Sequence, residues 1–312
     1  MRKIGVTGAS GFMGSILIGR LVDRPDIEVR ALTRTLSSTP VAFHEHVAWM
    51  QGDLTSRLDC ATFVDGLDVI VHLAHTNTPF TSNKDLPSDA AMNVIPTVTL
   101  LQAIREAGTR PHVVYASTGG ALYRAEGHRP FHEDSPVEPT TSYGVQKLMG
   151  EHYLRLAVQE GWLTATSLRI GNPYGVLLPA ERQQGFIGVA LSRLLEGRPV
   201  RVFGDPDNVR DYIHLDDVMR MFELMLERHD GWNLYNVGSG EGRTVREVLV
   251  LLQEFSGVAA DIRYEPLTAD SRRLPAWVVL DSSKARLEVG WEPRIAFEDG
   301  LRSLCHEAVT AL

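Results

Sequence analysis

Apolar and polar positions follow two alternating patterns along the first half of the chain. Short apolar runs, typical of buried strands, are followed by segments in which apolar residues recur at helical spacing. Strands that alternate with helices require parallel pairing and right-handed crossovers, so the pattern predicts an α/β fold with a doubly wound parallel sheet. We predict strands over residues 4–7, 28–32, 47–51, 69–73, 113–116 and 165–170, and helices over residues 12–23, 60–64, 90–107 and 143–159.

The regular alternation ends near Gly171, after which shorter elements rich in Gly, Pro and Arg follow. We therefore expect a first domain over residues 1–170. Residues 171–312 are expected to form mainly a smaller α+β domain that binds the substrate and closes over the site. Within this second part, residues 209–237 are expected to return to the first domain.

Several polar or small residues follow predicted strand ends. Ligands of doubly wound sheets bind beyond the carboxyl ends of the strands. Gly8, His75, Thr118 and Asn172 each lie just past such an end, so we expect them to converge. His75 is interpreted either as a residue that helps to select the ligand or as a simple wall residue.

Composition narrows the class of protein. The 312 residues are 44% hydrophobic and 22% charged, as in ordinary globular proteins. A formal charge of −8 argues against broad binding to nucleic acid or to an anionic membrane, and no apolar run is long enough to cross a bilayer. The two cysteines fit a reducing cytoplasm. The histidines have no metal-ligand spacing, and we expect no metal site. We also expect no leader peptide, because the first residues have the pattern of a strand.

A glycine-rich turn joins the first predicted strand to the first helix. Gly8 permits the tight turn, Gly11 lets backbone amides approach a pyrophosphate, and Gly14 allows close packing of helix on sheet. The unpaired N–H groups of the helix N-terminus then face the phosphates. The turn predicts a dinucleotide cofactor, NAD or NADP, held by Gly8, Ser10, Gly11, Phe12, Met13 and Gly14.

A tyrosine and a lysine, Tyr143 and Lys147, lie one helical turn apart on a predicted helix. A free phenol ionises near pH ~10, and a neighbouring ammonium favours the phenolate and lowers that pKa. The pair is therefore suited to general acid–base catalysis. The strand-end hydroxyls of Ser117 and Thr118 lie upstream of this pair, and because the register is uncertain by one residue both are candidate partners.

The Gly-x-x-Gly-x-x-Gly spacing and Tyr143-x-x-x-Lys147 together resemble the extended short-chain dehydrogenase/reductases. The resemblance is to their nucleotide-sugar epimerase/dehydratase group, typified by UDP-galactose 4-epimerase, and it extends nearly end to end. It includes Gly52-Asp53-Leu54, His72-Leu73-Ala74, Asn172-Pro173-Tyr174-Gly175, Arg210-Asp211-Tyr212-Ile213-His214, Asn236-Val237-Gly238 and Asp281-x-Ser283-Lys284-Ala285.

The resemblance implies a Rossmann dinucleotide-binding domain and assigns roles to residues. It implies that Tyr143 is the acid/base, that Lys147 also holds the nicotinamide ribose, and that Thr118 relays the proton. For the cofactor it adds Asp53 and Leu54 at the adenine, and Leu73, Ala74 and His75 on the nicotinamide side. For a nucleotide-sugar substrate it implies Asn172 and Arg210 at the diphosphate, Phe203 against the base, and Arg272 or its neighbour Arg273 as a further cation.

The resemblance also limits the reaction. Related dehydratases and decarboxylating enzymes carry carboxylates after the threonine, whereas this chain has Gly119-Gly120. We therefore expect an NAD(P)-dependent epimerase acting at C4 of a UDP-hexose through a 4-keto sugar. The alternatives are a 4-ketoreductase or dehydrogenase that uses NADP(H) and, as a minor one, a non-catalytic dinucleotide sensor. Residues 90–107 and 143–159 resemble the helix pair that forms a homodimer interface in relatives.

Arg34 departs from the acidic residue that NAD-preferring relatives carry after the second strand. A guanidinium there suits the 2′-phosphate of NADP, although stacking on adenine or exposure to solvent is the alternative. We predict that NADP is bound and that Arg34→Ala weakens NADP binding more than NAD binding. Titration with both nucleotides checks this; equal affinities that the substitution leaves unchanged would contradict it.

Overall fold

A seven-stranded parallel sheet forms the centre of the protein. The computed structural model describes residues 1–36, 47–78, 82–124, 127–182, 184–266 and 275–311. The strands are β1 (Arg2–Thr7), β2 (Ile27–Thr33), β3 (Val47–Gln51), β4 (Val69–His72), β5 (His112–Thr118), β6 (Thr164–Ile170) and β10 (Trp232–Val237). They lie in the order β10-β6-β5-β4-β1-β2-β3, and each neighbouring pair is parallel. The predicted doubly wound sheet is thus confirmed.

Helices cover both faces of this sheet. The first four are α1 (Phe12–Leu21), α2 (Arg57–Val64), α3 (Leu86–Ala107) and α4 (Ser142–Gln159). One apolar core packs α1 and the later helix α6 (Leu215–Met225) on the sheet, and a second packs α2, α3 and α4. Alternation along the strands separates the two cores, since Val69 and Val71 belong to the first and Ile70 to the second. Of the described helices, none has both the length and the apolar character to span a membrane.

Two helices begin earlier than their apolar pattern predicts, and capping residues explain both. The side chain of Ser56 accepts a hydrogen bond from the N–H of Asp59 and so starts α2 at Arg57. The side chain of Asp85 accepts from the N–H of Ser88 at the start of α3. Such caps satisfy N–H groups that have no partner within the helix.

The chain beyond β6 builds a smaller assembly of short strands and helices. Strands β7 (Asn172–Tyr174), β11 (Gly242–Thr244) and β13 (Trp277–Val278) all pair with β9 (Val209–His214). A separate two-stranded sheet joins β8 (Val200–Phe203) to β12 (Ile262–Glu265). The remaining helices are α5 (Phe186–Leu195), α7 (Val245–Ser256), α8 (Ser283–Val289) and α9 (Phe297–Thr310).

Candidate active site

The glycine turn after β1 is shaped for a ligand that approaches the backbone. Gly8 has a φ of 67°, in the left-handed region that favours glycine. A Cβ added to Gly14 would lie 2.3 Å from the carbonyl oxygen of Gly8, so only glycine allows α1 to pack this closely on the turn. Gly11 is the N-cap residue of α1, and no side chain there accepts a hydrogen bond from the N–H groups of the first turn. The N–H groups at this helix end therefore suit the pyrophosphate of a dinucleotide.

The loops that follow β1 and β4 touch each other at the point where the strand order reverses. A Cβ on Gly8 would lie 2.7 Å from the amide nitrogen of Ala74. The Thr7 hydroxyl accepts from that same nitrogen at 3.2 Å and bonds His72 Nδ1 at 2.7 Å. Burial lowers the pKa of His72 to about 3, so its ring is a neutral structural bridge. These contacts place Leu73 and Ala74 beside the turn.

The predicted adenine end of the site lies past β2 and β3. The Ser10 hydroxyl lies 3.1 Å from the Thr33 hydroxyl, which ties the turn to the end of β2. Leu54 is buried. Asp53 accepts from the N–H and hydroxyl of Thr55, and these bonds, with the charge of Arg34, lower the pKa of its carboxyl. Phe12 and Met13 pack against the core at the other side of the turn.

Three polar side chains of α4 share one buried face, because each lies four positions after the one before it. Tyr143, Lys147 and Glu151 expose 9%, 4% and 4% of their surface. Lys147 Nζ donates to the carbonyl oxygen of Ala116 at 2.7 Å and lies 5.9 Å from the centroid of the Tyr143 ring. The Thr118 hydroxyl interacts with the Tyr143 phenol and acts to lower its pKa. The structure thus brings Thr118, Tyr143 and Lys147 together.

Burial sets the protonation of this group. It raises the pKa of Tyr143 to about 12, with the Thr118 hydrogen bond acting in the opposite direction. It lowers the pKa of Lys147 to about 7, with the charge of Glu151 acting in the opposite direction. The pKa of Tyr143 is predicted to lie below that of a free phenol, but in this structure it lies above it, because loss of hydration disfavours the charged phenolate.

The two candidate hydroxyls of β5 have different partners. Ser117 donates to the Glu151 carboxylate at 2.6 Å, whereas Thr118 interacts with the Tyr143 phenol and influences its pKa. Glu151 also forms a buried ion pair with Arg169 at 2.7 Å. Sequence reasoning missed this pair. The signal was available as an acidic residue four positions after Lys147 and an arginine inside an otherwise apolar strand pattern.

His75 packs edge-on against Tyr143, with ring centroids 4.9 Å apart. Burial, together with the charge of Lys147, lowers the pKa of His75 well below its usual value, so its ring is neutral. Among the described residues its Nε2 has no hydrogen-bond partner. The next residue, Thr76, donates from its N–H and hydroxyl to the Asn93 side chain, which anchors this loop to α3.

The predicted substrate residues are only partly brought together. Asn172 and Arg210 lie on the paired strands β7 and β9, and Asn172 Nδ2 donates to the carbonyl oxygen of Asp211 at 3.1 Å. Burial lowers the pKa of Arg210, and no carboxylate in the described ranges forms an ion pair with it. Phe203 lies on the separate β8–β12 sheet and is 51% exposed. Arg272 and Arg273 lie outside the described residues.

Comparison with known proteins gives consistent matches across the chain. Residues 4–238 match the model of the NAD dependent epimerase/dehydratase family. The UDP-glucose 4-epimerase of Mycolicibacterium smegmatis is 33% identical, covering 95% of each chain. The dTDP-4-dehydro-6-deoxyglucose reductase of Escherichia coli is 30% identical, covering 97% of each. The solved structure of Thermus thermophilus UDP-glucose 4-epimerase complexed with NAD superimposes with a TM-score of 0.89 at 30% identity, covering 99% and 100%.

The lowered pKa of Lys147 predicts a pH-dependent stability. Between its folded pKa of about 7 and its unfolded value of 10.5, the unfolded chain holds a proton that the folded protein lacks. The free energy of unfolding should therefore rise with pH across this window. Lys147→Met should remove this rise and stabilise the nucleotide-free protein below pH ~7 by on the order of a few kcal/mol.

Chemical denaturation of nucleotide-free protein at several pH values checks this prediction. Replacement of the exposed Lys3 by methionine is the control, since it should leave the pH dependence as in the wild type. A Lys147→Met protein whose stability changes with pH in parallel with the wild type would contradict the prediction.

Proposed function

The chain belongs to the NAD-dependent epimerase/dehydratase family, and we propose that it is a nucleotide-sugar epimerase that inverts C4 of a UDP-hexose. It is an enzyme that uses NAD or NADP. The observation that carries the proposal is the convergence of the Tyr143 and Thr118 side chains beside a glycine turn built for a dinucleotide. The UDP-glucose 4-epimerases among its relatives support the choice of sugar nucleotide.

In the proposed reaction Tyr143 takes the proton of the C4 hydroxyl and later returns it. Thr118 accepts a hydrogen bond from the C4 hydroxyl of the sugar and relays the proton to the neighbouring Tyr143 oxygen. A dinucleotide held by the glycine turn and Lys147 would supply the hydride acceptor and, in its oxidised form, a positive charge. Loss of hydride and proton gives a 4-keto sugar, and return of the hydride to the opposite face inverts the centre.

The proposed role of Tyr143 requires its pKa to fall when ligands bind. At about 12 the phenol is protonated at neutral pH, which suits the step that returns a proton. A nearby positive charge favours the phenolate, which suits the step that removes one. Lys147, with a pKa of about 7, can donate to a ribose hydroxyl and stabilise the phenolate. The buried residues around Lys147 exclude water, and this strengthens its interactions with the ribose hydroxyl and with the phenolate.

The residues after Thr118 support hydride transfer without elimination. Gly119 and Gly120 carry no carboxylate, and a Cβ on Gly119 would lie 2.5 Å from the side chain of Leu280. A side chain that could act as an acid or base at Gly119 would therefore have to displace Leu280. A 4-ketoreductase that exchanges NADP(H) is the second candidate, favoured by Arg34 and by the reductase among the relatives.

The substrate diphosphate is proposed to bind between Asn172 and Arg210. The guanidinium of Arg210 donates to the carbonyl oxygens of Val209 and Ala276, which orients it without neutralising it. Arg210 is partly buried, and a cation that has lost part of its hydration without gaining an ionic partner favours an anion beside it. The negative charges of a nucleotide diphosphate meet that need.

Removal of the phenolic hydroxyl tests the proposed chemistry. Tyr143→Phe should lower kcat for conversion of UDP-glucose to UDP-galactose at least 100-fold, because general acid–base catalysis contributes roughly that much. Binding of NADH should be retained. Thr118→Val should also reduce kcat, whereas Ser117→Ala is the matched control and should reduce stability with little loss of kcat.

The nucleotide released on denaturation distinguishes the two candidate functions. An epimerase regenerates its cofactor, so retained NAD and conversion without added nucleotide are expected. A requirement for added NADPH, with reduction of a 4-keto sugar, would establish the reductase instead. Full activity in Tyr143→Phe would contradict both.

We also propose that the protein is a cytoplasmic homodimer. Apolar side chains on α3 and α4 remain exposed although the two helices pack together. A contiguous apolar surface of this kind is typical of an interface between protein chains. Its residues are Met92, Ile95, Val145, Met149, Tyr153 and Leu156. Free cysteines at Cys60 and Cys305, both buried, fit a reducing compartment.

Light scattering at micromolar concentration should give the mass of a dimer. Ile95→Glu combined with Met149→Glu should convert it to a monomer, because each places a charge in the proposed interface. Leu287→Glu is the control, since Leu287 is 81% exposed on α8, away from that surface. A monomeric wild type, or a double variant that remains dimeric, would contradict the proposed interface.

A further inference from the structure

A buried carboxylate, that of Asp89, lies between the two segments that carry His75 and Tyr143. Asp89 is in the first turn of α3 and is 3% exposed. Its Oδ2 accepts from the Ser142 hydroxyl at 2.5 Å and from the side-chain amide of Gln146. Ser142 and Gln146 lie on either side of Tyr143 in the sequence of α4. The carboxylate therefore fixes the first turns of the helix that carries the proposed acid/base.

The loop after β4 is joined to the same residue through Asn93, one turn further along α3. Asn93 Nδ2 donates to the carbonyl oxygen of Asp89 at 2.9 Å and to its Oδ1 at 3.3 Å. Asn93 Oδ1 accepts from the N–H and the hydroxyl of Thr76. Thr76 follows His75, whose ring packs against that of Tyr143. Asp89 thus connects the two segments whose rings meet at the site.

A third polar residue, Thr97, extends this buried face of α3, because Asp89, Asn93 and Thr97 are each four positions apart. Thr97 Oγ1 donates to the carbonyl oxygen of Asn93 at 3.1 Å and lies 3.0 Å from His72 Nε2. His72 in turn bonds Thr7, next to the glycine turn. The polar face of α3 therefore joins the glycine turn to the first turn of α4.

The contact between α3 and α4 depends on the Asp89 carboxylate. Among the described residues, the side chains that donate to it are all neutral. A buried charge without a cation depends on such hydrogen bonds. Gln146 Oε1 has no partner in the described part of the chain, so the amide is oriented through its Nε2, which donates to Asp89 and Ser142. Loss of the carboxylate would remove the acceptor that Ser142 and Gln146 share, and a buried donor left unpaired is unfavourable.

We infer that Asp89 is a positioning residue for the proposed reaction, and that it fixes the Tyr143 phenol relative to the loop after β4. The inference rests on the proposed function, because it takes Tyr143 as the acid/base and this loop as one wall of the nicotinamide pocket. Asp89 acts at the N-terminal end of α4, whereas the ion pair between Glu151 and Arg169 acts further along the helix. A reacting group misplaced by about 1 Å can lower a rate ~100-fold. Loss of Asp89 should therefore lower kcat more than it weakens binding.

Asp89→Asn tests the inference, because it keeps the size of the side chain and removes one of its two acceptor oxygens. We expect kcat for UDP-glucose to fall about tenfold or more, with KM and the affinity for NADH changed less than ~threefold. Gln146→Glu places a second carboxylate opposite the first and should lower kcat as well. In the double variant an amide again faces a carboxylate, so kcat should lie well above the value that the two single effects multiply to.

Asp217→Asn is the matched control. Asp217 is also a buried carboxylate in the first turn of a helix, but it lies on α6 and accepts from the N–H groups of Arg294 and Ile295. Its replacement should lower the free energy of unfolding, while kcat per folded molecule stays as in the wild type.

Hydrogen–deuterium exchange gives a second readout that does not depend on turnover. Backbone amides of residues 72–78 and of residues 142–147 should both exchange faster in Asp89→Asn, because the bonds that join these segments through α3 are weakened. Asp217→Asn should leave the exchange of both segments unchanged.

The outcomes separate this inference from the proposed function. Wild-type kcat in Asp89→Asn, or single effects that simply multiply in the double variant, would overturn the positioning role and leave the proposed function intact. Unchanged exchange in both segments would overturn it as well. A wild type that does not convert UDP-glucose would overturn the proposed function, whereas the exchange rates would still decide whether Asp89 joins the two segments.

Discussion

The buried ion pair between Glu151 and Arg169 is the contact on which the geometry of the site depends. It joins α4 to β6, and the Ser117 hydroxyl bonds the same carboxylate from β5. Removing one partner of such a pair would leave an uncompensated charge in the interior, which is strongly destabilising. Because Lys147 and Tyr143 lie on the same face of α4 as Glu151, this contact determines where both side chains meet the sheet. Tyr143 and Lys147 are therefore positioned by the Glu151–Arg169 ion pair, to which neither of them contributes.

Burial gives the site its chemistry as well as its shape. Lys147 and Tyr143 are both removed from water, and each has a pKa displaced toward its neutral form. Such groups respond strongly to a new neighbouring charge, because the interior screens charges weakly. In the proposed mechanism, binding of the cationic nicotinamide ring and of the sugar can then shift a proton between the sugar hydroxyl and Tyr143. The same weak screening explains why Arg210, which loses hydration and has no ionic partner among the described residues, indicates an anionic ligand.

A second buried carboxylate, Asp211, organises the other side of the site. It accepts from the N–H groups of Ser239 at 2.7 Å and Leu280 at 3.0 Å, while its own carbonyl oxygen accepts from Asn172. Segments far apart in the chain are thus held next to β9, the strand that carries Arg210. The seven-stranded sheet and the shorter strands consequently meet where β6 passes into β7. This junction places Asn172 two residues beyond Ile170, which pairs with Thr118 across the sheet.

The sequence by itself determined the features that depend on local spacing. The glycine intervals predicted the turn, the apolar periods predicted the sheet, and Tyr143-x-x-x-Lys147 predicted one helical face, because each follows from backbone geometry over a few residues. The tertiary structure decided what depends on distant neighbours. It gave Ser117 and Thr118 different partners, raised the pKa of Tyr143, placed Phe203 on a separate sheet and joined Asp89 to the first turn of α4. Burial and long-range contacts cannot be read from spacing, because they depend on which strands and helices pack together.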